Sequence, residues 1–182
     1  MRIYHRSKFY LGKAIFRAWI FAFIYMRKLH LNGLVLLGKN SALFCKSGGE
    51  IVVGNRCYFF DNVEVQSRGL LSFGNNVQVN NFSRIVALER VTIGDNVTIA
   101  QFVTILDHDH KYIMDRDEMK LDGFETTPVN IGDNVWIGDK ATVLRGVSIG
   151  NNVIIAANAV VNCDIPDNCI AGGVPARVLK TV

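Results

Sequence analysis

The sequence predicts an all-β chain wound as a parallel β-helix, and three observations carry that expectation. Five copies of one pattern begin at Val53, Phe73, Ile93, Ile131 and Ile149, reading V-G-N-R-C, F-G-N-N-V, I-G-D-N-V, I-G-D-N-V and I-G-N-N-V. Between them, aliphatic residues recur in steps of six, at Ile93, Ile99 and Ile105 and then at Ile131, Ile137, Val143, Ile149, Ile155 and Val161. The copies start 20, 20, 38 and 18 residues apart, so the wide gap is one ordinary spacing plus about twenty inserted residues. A period of six fits neither one helix face nor simple strand alternation. It fits short strands joined by corners, three to a coil, with coils stacked in register. The Gly-Asp-Asn and Gly-Asn-Asn runs are then the corners, where residues tolerating positive φ are needed.

Ahead of the coil, residues 1–32 read as a basic, apolar helical segment. Residues 1–49 hold nine Lys or Arg and no acid, whereas residues 50–182 hold eleven bases and all sixteen acids. Such asymmetry marks a segment that meets an anionic surface. The run from Ala18 to Met26 is uncharged and flanked by Arg17, Arg27 and Lys28. It is too short to span a bilayer, which takes about 20 helical residues. Trp19 and Tyr25 between basic flanks suit a helix in the lipid interface; packing on the body or on a neighbouring subunit is the alternative. No small-residue cleavage site follows, as a signal peptide would require. Cys45, Cys57, Cys163 and Cys169 show no CxxC spacing and read as reduced, structural thiols of a cytoplasmic protein.

Residues 33–180 read as the coil, in one domain, with residues 107–128 an excursion from it. The excursion is polar, keeps no six-residue rhythm and begins with Asp107-His108-Asp109-His110. Long excursions from a rigid scaffold gather binding and catalytic groups. A histidine, with an ordinary pKa of about 6.5, suits a general base near neutral pH. Asp107 or Asp109 could orient such a base and stabilise its imidazolium. The same four residues offer metal ligands as a rival reading.

The Ile-Gly-Asp-Asn-Val copies resemble the hexapeptide repeat of the left-handed β-helix acyltransferases over residues 51–180, and the left hand is implied by that resemblance. The chain is most similar to the sugar O-acetyltransferases of this fold, the maltose, galactoside and nodulation-factor group. The Asp-His-Asp-His form resembles acetyltransferases of bacterial surface-polysaccharide clusters. In the sugar enzymes a loop histidine seventeen residues after the opening aliphatic residue deprotonates the acceptor hydroxyl, which attacks the thioester of acetyl-CoA. From Ile93 that count reaches His110, with His108 the second candidate. The relatives follow their histidine with Pro, whereas Lys111 follows here.

Asn80 stands where the family places an asparagine that binds the acceptor, with Asn81 as the fallback. Trp136 is implied in the wall of the acceptor and thioester site, and Asp139, Ala157, Asn162 and Cys163 beside the pantetheine arm. The relatives tend to be basic where Cys163 stands. Arg177 and Lys180, in the closing motif Gly172 to Lys180, are implied at the CoA phosphates, to which Arg offers a forked donor. The resemblance implies a homotrimer with each site between two subunits, an acetyl-CoA co-substrate, a sugar or glycan acceptor and backbone N–H groups that stabilise the oxyanion. A lipid-linked glycan at the cytoplasmic membrane face, under assembly for capsule or lipopolysaccharide, fits the N-terminal segment. No metal cofactor and no nucleic-acid partner are expected. N-acyl transfer to an amino sugar and a non-catalytic binding scaffold remain the alternatives.

Overall fold

The computed structural model describes residues 8–182. Residues 1–7, the start of the expected helical segment, lie outside the described residues. The coil has three faces. The first stacks Leu29–Leu31, Glu50–Val53, Leu70–Phe73, Arg90–Ile93, Val129–Ile131 and Ser148–Ile149 as parallel strands. The second stacks Val35–Leu37, Cys57–Phe59, Gln78–Val79, Thr98–Ile99, Trp136–Ile137, Ile154–Ile155 and Cys169–Gly173, closed by the antiparallel strand Ala176–Thr181. The third stacks Ala42–Cys45, Glu64–Ser67, Arg84–Ala87, Thr104–Leu106, Thr142–Val143 and Val160–Val161.

The six-residue step therefore places one aliphatic side chain on each face. Ile93, Ile99 and Ile105 come from the three faces of one coil, and each is at most 1% exposed. Burying such a side chain stabilises the fold by roughly 1.5–3 kcal/mol. The small apolar residues Val97, Val103, Val135, Ala141, Val147, Val153 and Ala159 also point inward at the corners, each at most 1% exposed. Cys57 fills the same slot in an early coil, and burial pushes its thiol up to about 11; Cys45 is raised to about 11 for the same reason.

The corners hold positive φ as the sequence predicts, and they divide labour among the residues of each run. Positive φ falls on the last residue of each run, with Asn76, Asn96, Asn134 and Asn152 at 56–57°, an angle Asn tolerates better than most side chains. The preceding glycine serves close approach instead. A Cβ on Gly94 would run into the carbonyl of Gly132 and the Asp133 carboxylate in the coil above. The residue between them forms a ladder along the axis. The N–H of Asn75 donates to Asp95 Oδ1 at 2.6 Å, that of Asp95 to Asp133 Oδ1 at 2.7 Å, and that of Asp133 to Asn151 Oδ1 at 2.8 Å.

The N-terminal helix α1 (Lys8–Ile24) packs on the first coil through its alanines, with Ala14 and Ala18 each 1% exposed. Arg17 Nη1 donates to the carbonyl of Leu37 at 3.0 Å. The coil starts at Leu29, because Leu29 and Leu31 pair with Ile51 and Val53. That lies inside the segment assigned by sequence to the helix; the first coil lacks the full repeat signature that would have marked it.

The excursion is not a loop but a β-hairpin, His108–Asp115 paired antiparallel with Glu118–Thr126. Its turn residues Arg116 and Asp117 both take positive φ, at 48° and 69°, as a tight hairpin turn requires. The ribbon has no core of its own: Tyr112, Met114, Met119 and Leu121 are each at least 63% exposed. Its apolar residues therefore show no buried-face pattern from which the strands were readable.

Candidate active site

The hairpin leaves the coil at the corner joining the third and first faces, and Asp107 forms that corner. Its side chain is fully buried. Oδ1 accepts the N–H of Leu88 at 2.8 Å, and Oδ2 accepts those of Glu89 and Arg90 at 2.7 and 2.8 Å. His108 Nδ1 lies 3.0 Å from the same Oδ1, with the histidine side chain only 13% exposed. Asp107 thus closes the coil beneath and holds the His108 ring in one orientation.

Asp109 turns outward. Its Oδ2 accepts from Arg145 Nε at 2.8 Å, while Arg145 Nη2 reaches Glu125 Oε2 at 2.8 Å and Nη1 lies 3.3 Å from Thr127 Oγ1. Asp109 and Glu125 are register partners across the hairpin. One guanidinium from the next coil therefore ties both strands at their root. His110, across from Phe124 in the ribbon, is exposed and rests on that ring at a centroid distance of 4.6 Å. Phe124 also meets His108, the rings near perpendicular at a centroid distance of 5.5 Å.

Both histidines open into one cavity of about 320 Å³ between the hairpin root and the third face. Val86, Leu88, Leu106 and Phe124 supply its apolar lining, and Gln66, Arg68, Arg84 and Asp109 its polar groups. The four side chains of the metal reading diverge: Asp107 binds backbone and His108, Asp109 binds Arg145, and His110 faces Phe124. Among the described residues no three His, Cys, Asp or Glu side chains gather as a metal site. Asp107 orients His108 rather than His110, and Asp109 orients neither.

The other sequence-predicted residues lie apart from this cavity in a single chain. Asn80 is on the corner between the second and third faces, its amide donating to the Ile99 carbonyl at 2.8 Å. Asn81 and Asp139 belong to the ladder of that corner: Asn81 Oδ1 accepts the Asp61 N–H at 3.3 Å, and Asp139 Oδ1 accepts the Gln101 N–H at 3.0 Å. Trp136 stands outward on the second face, 53% exposed, between Thr98 and Ile154. Ala157 stacks near Asp139, since the Asn158 N–H donates to the Asp139 carbonyl at 2.8 Å. Asn162 and Cys163 are exposed at the last corner of the third face. The Arg177 guanidinium lies beside them, 3.7 Å from Cys163 Sγ and 2.7 Å from the Ala176 carbonyl. Lys180 pairs with Ile170 on the closing strand. Arg177 and Lys180 have no carboxylate partner among the described residues, so the donor set fits an anionic ligand such as the CoA phosphates.

Arg145, Phe124, Arg68 and Arg84 were not singled out from sequence. Register arithmetic could have found Arg68: it follows the register partner of Ala87, in the column that leads to His108.

A six-residue repeat wound into a three-faced coil defines the class: the chain is a left-handed parallel β-helix of hexapeptide repeats. Residues 128–163 match the family described as bacterial transferase hexapeptide (six repeats). The chain is 42% identical over 120 residues to WbbJ of Escherichia coli K12, named as a lipopolysaccharide biosynthesis O-acetyl transferase, covering 62% of this chain and 61% of that one. It is 38% identical over 129 residues to the galactoside O-acetyltransferase of the same organism, covering 67% of this chain and 62% of that one. The chain thus spans less than two thirds of the length of these curated relatives. Among solved structures, AntD, an N-acyltransferase from Bacillus cereus crystallised with dTDP and coenzyme A, superposes with a TM-score of 0.71 at 20% identity, covering 87% of each chain. That likeness is one of fold.

Proposed function

We propose that the protein transfers an acetyl group from acetyl-CoA to a hydroxyl of a sugar in a bacterial surface glycan. The observation that carries this reading is the histidine pair opening into one cavity at the hairpin root of a hexapeptide β-helix. Acetyl-CoA supplies the thioester. His110 takes the proton of the acceptor hydroxyl as it attacks the acetyl carbon, and returns it to the departing CoA sulfur. His110 is assigned this role because it is open to incoming ligands and stands at the position reached by counting from Ile93. His108 is mostly enclosed. A second reading makes His108 the base, and the Asp107 contact to its Nδ1 favours it.

Arg177 and Lys180 hold the CoA phosphates, beside Cys163 and Asn162, with Asp139 and Ala157 along the pantetheine arm. Asn80 and Trp136 bind the acceptor. These residues lie on different corners and faces of one chain, so the site is complete only in a homotrimer, where a neighbouring copy brings its own corner to the cavity. The exposed stripe of α1 supports peripheral docking on the cytoplasmic membrane face. Phe9, Phe16, Trp19 and Phe23 are each at least 66% exposed, in a region with no acid before Glu50. No helix among the described residues is long and apolar enough to cross a membrane.

Acetyl-CoA presented with a sugar and with its amino analogue tests the reaction: CoA release with the hydroxyl acceptor is expected, and release only with the amine would overturn O-transfer. Sedimentation with anionic vesicles, lost when Trp19 and Phe23 become Ser, tests the docking. A protein that stays in the supernatant would refute it.

A further inference from the structure

The third face carries cations that neither the coil nor the transfer step needs. Arg68 and Arg84 both line the cavity that holds the two histidines. Arg84 stands outward between Glu64 and Thr104 in register, and meets Glu64 at 3.4 Å with both side chains about half exposed. An exposed pair of that kind contributes little, about 0–1 kcal/mol. Arg68 forms no ion pair among the described residues. Lys46 lies one coil below it and hydrogen-bonds Gln66 Oε1 at 2.9 Å. The acids nearby are already engaged: Asp109 by Arg145, Glu89 by Thr126 at 2.7 Å, and Asp107 by three backbone N–H groups and His108. Among the lining residues, then, two guanidiniums stand against one carboxylate, that of Asp109, which Arg145 already pairs, over an apolar floor of Val86, Leu88 and Leu106. Guanidinium groups over such a floor are less screened than in open water.

We propose that the acceptor is an acidic glycan, and that Arg68 and Arg84 bind a carboxylate or phosphate on it while a hydroxyl is offered to the histidines. The inference rests on the acetyl-transfer reading. Arg68 precedes His108 by two coils, which at the strand spacing of about 4.8 Å sets the anion roughly 10 Å below the level of His108. The anion thus sits on a different part of the acceptor from the acetylated hydroxyl. Arg presents two parallel donors to either oxyanion. The apolar floor accepts the C–H face of a sugar ring, so charge and ring are read together. Lys46 extends the track for a longer chain.

Calorimetric titration of the full chain with tri-galacturonate, its neutral methyl ester and a phosphorylated maltotriose tests the proposal without requiring turnover. One of the two anionic probes is expected to bind at least tenfold more tightly than the ester, and the one that does identifies the anion. Arg68→Gln and Arg84→Gln should each weaken that binding about tenfold, while leaving weak binding of the ester and the melting temperature unchanged. Equal binding of all three probes, or variants that bind as wild type does, would overturn the proposal. CoA release in parallel separates the two readings. Tight anion binding without release with any acceptor overturns acetyl transfer alone; release with neutral and acidic acceptors alike, at equal KM, overturns the acidic acceptor alone.

Discussion

Replacing Asp107 with Asn separates the architectural role of the corner from the catalytic role proposed for the histidines. The carboxylate accepts three backbone N–H groups at 2.7–2.8 Å and lies 3.0 Å from His108 Nδ1. An amide keeps one oxygen. If that oxygen stays with Glu89 and Arg90, the new NH₂ faces the N–H of Leu88; if it turns to Leu88, two donors are opposed. One or two hydrogen bonds to a charged acceptor are lost, each worth about 1.5–3 kcal/mol. The expected destabilisation is about 1.5–6 kcal/mol, or a Tm lower by about 3–20 °C for a chain of this size. Calorimetry at fixed protein concentration measures it, and CoA release well below the transition measures activity. With His110 as base, kcat should stay within about tenfold of wild type. An unchanged Tm would refute the corner argument. A fall in kcat of a hundredfold or more with the fold intact would show that the Asp107-held tautomer of His108 is the reactive one.

Three further predictions follow from packing and exposure. Gly94→Ala should cost several kcal/mol or prevent folding, since its Cβ meets backbone in the next coil, whereas Gly12→Ala in α1 meets nothing within 4 Å and should stabilise by about 0.5–1 kcal/mol; thermal melts distinguish them. The Cys45 and Cys57 thiols are held near 11 by burial, so the folded chain keeps protons that the unfolded chain gives up from about pH 9. Their contribution to stability is complete below pH 9 and is lost as the pH rises to about 11, which urea titration across that range would show as a falling midpoint. Cys163 is the exposed thiol of the four. Alkylation of the native protein should modify it first, and CoA should slow that reaction if Arg177 beside it holds a phosphate.

The coil was legible because its period is enforced at every face: Ile93, Ile99 and Ile105 have no alternative but inward. The Asn and Gly of each corner were legible as a pair, but their separate duties depend on contacts with the next coil, which a single repeat does not display. The hairpin was not legible as strands, since Tyr112, Met114, Met119 and Leu121 are exposed and no buried face imposes a pattern. Within the site, His108 and His110 stood out by composition and by their distance from Ile93. Arg145 did not, because an outward residue of a repeat carries no periodic signal and its partners Asp109 and Glu125 lie 36 and 20 residues away. Asn81 and Asp139 looked like ligand residues, yet their side chains also serve the corner ladder, a duty that Asp61 performs one coil below Asn81.

The central claim is that a histidine at the hairpin root deprotonates a sugar hydroxyl. Its most direct test is CoA thiol release from acetyl-CoA and a glycan acceptor by the wild type, His110→Ala and His108→Ala, each confirmed as folded. His110→Ala should lose about 10²–10⁴-fold in kcat while His108→Ala keeps most of its activity. Wild-type turnover by His110→Ala would contradict it.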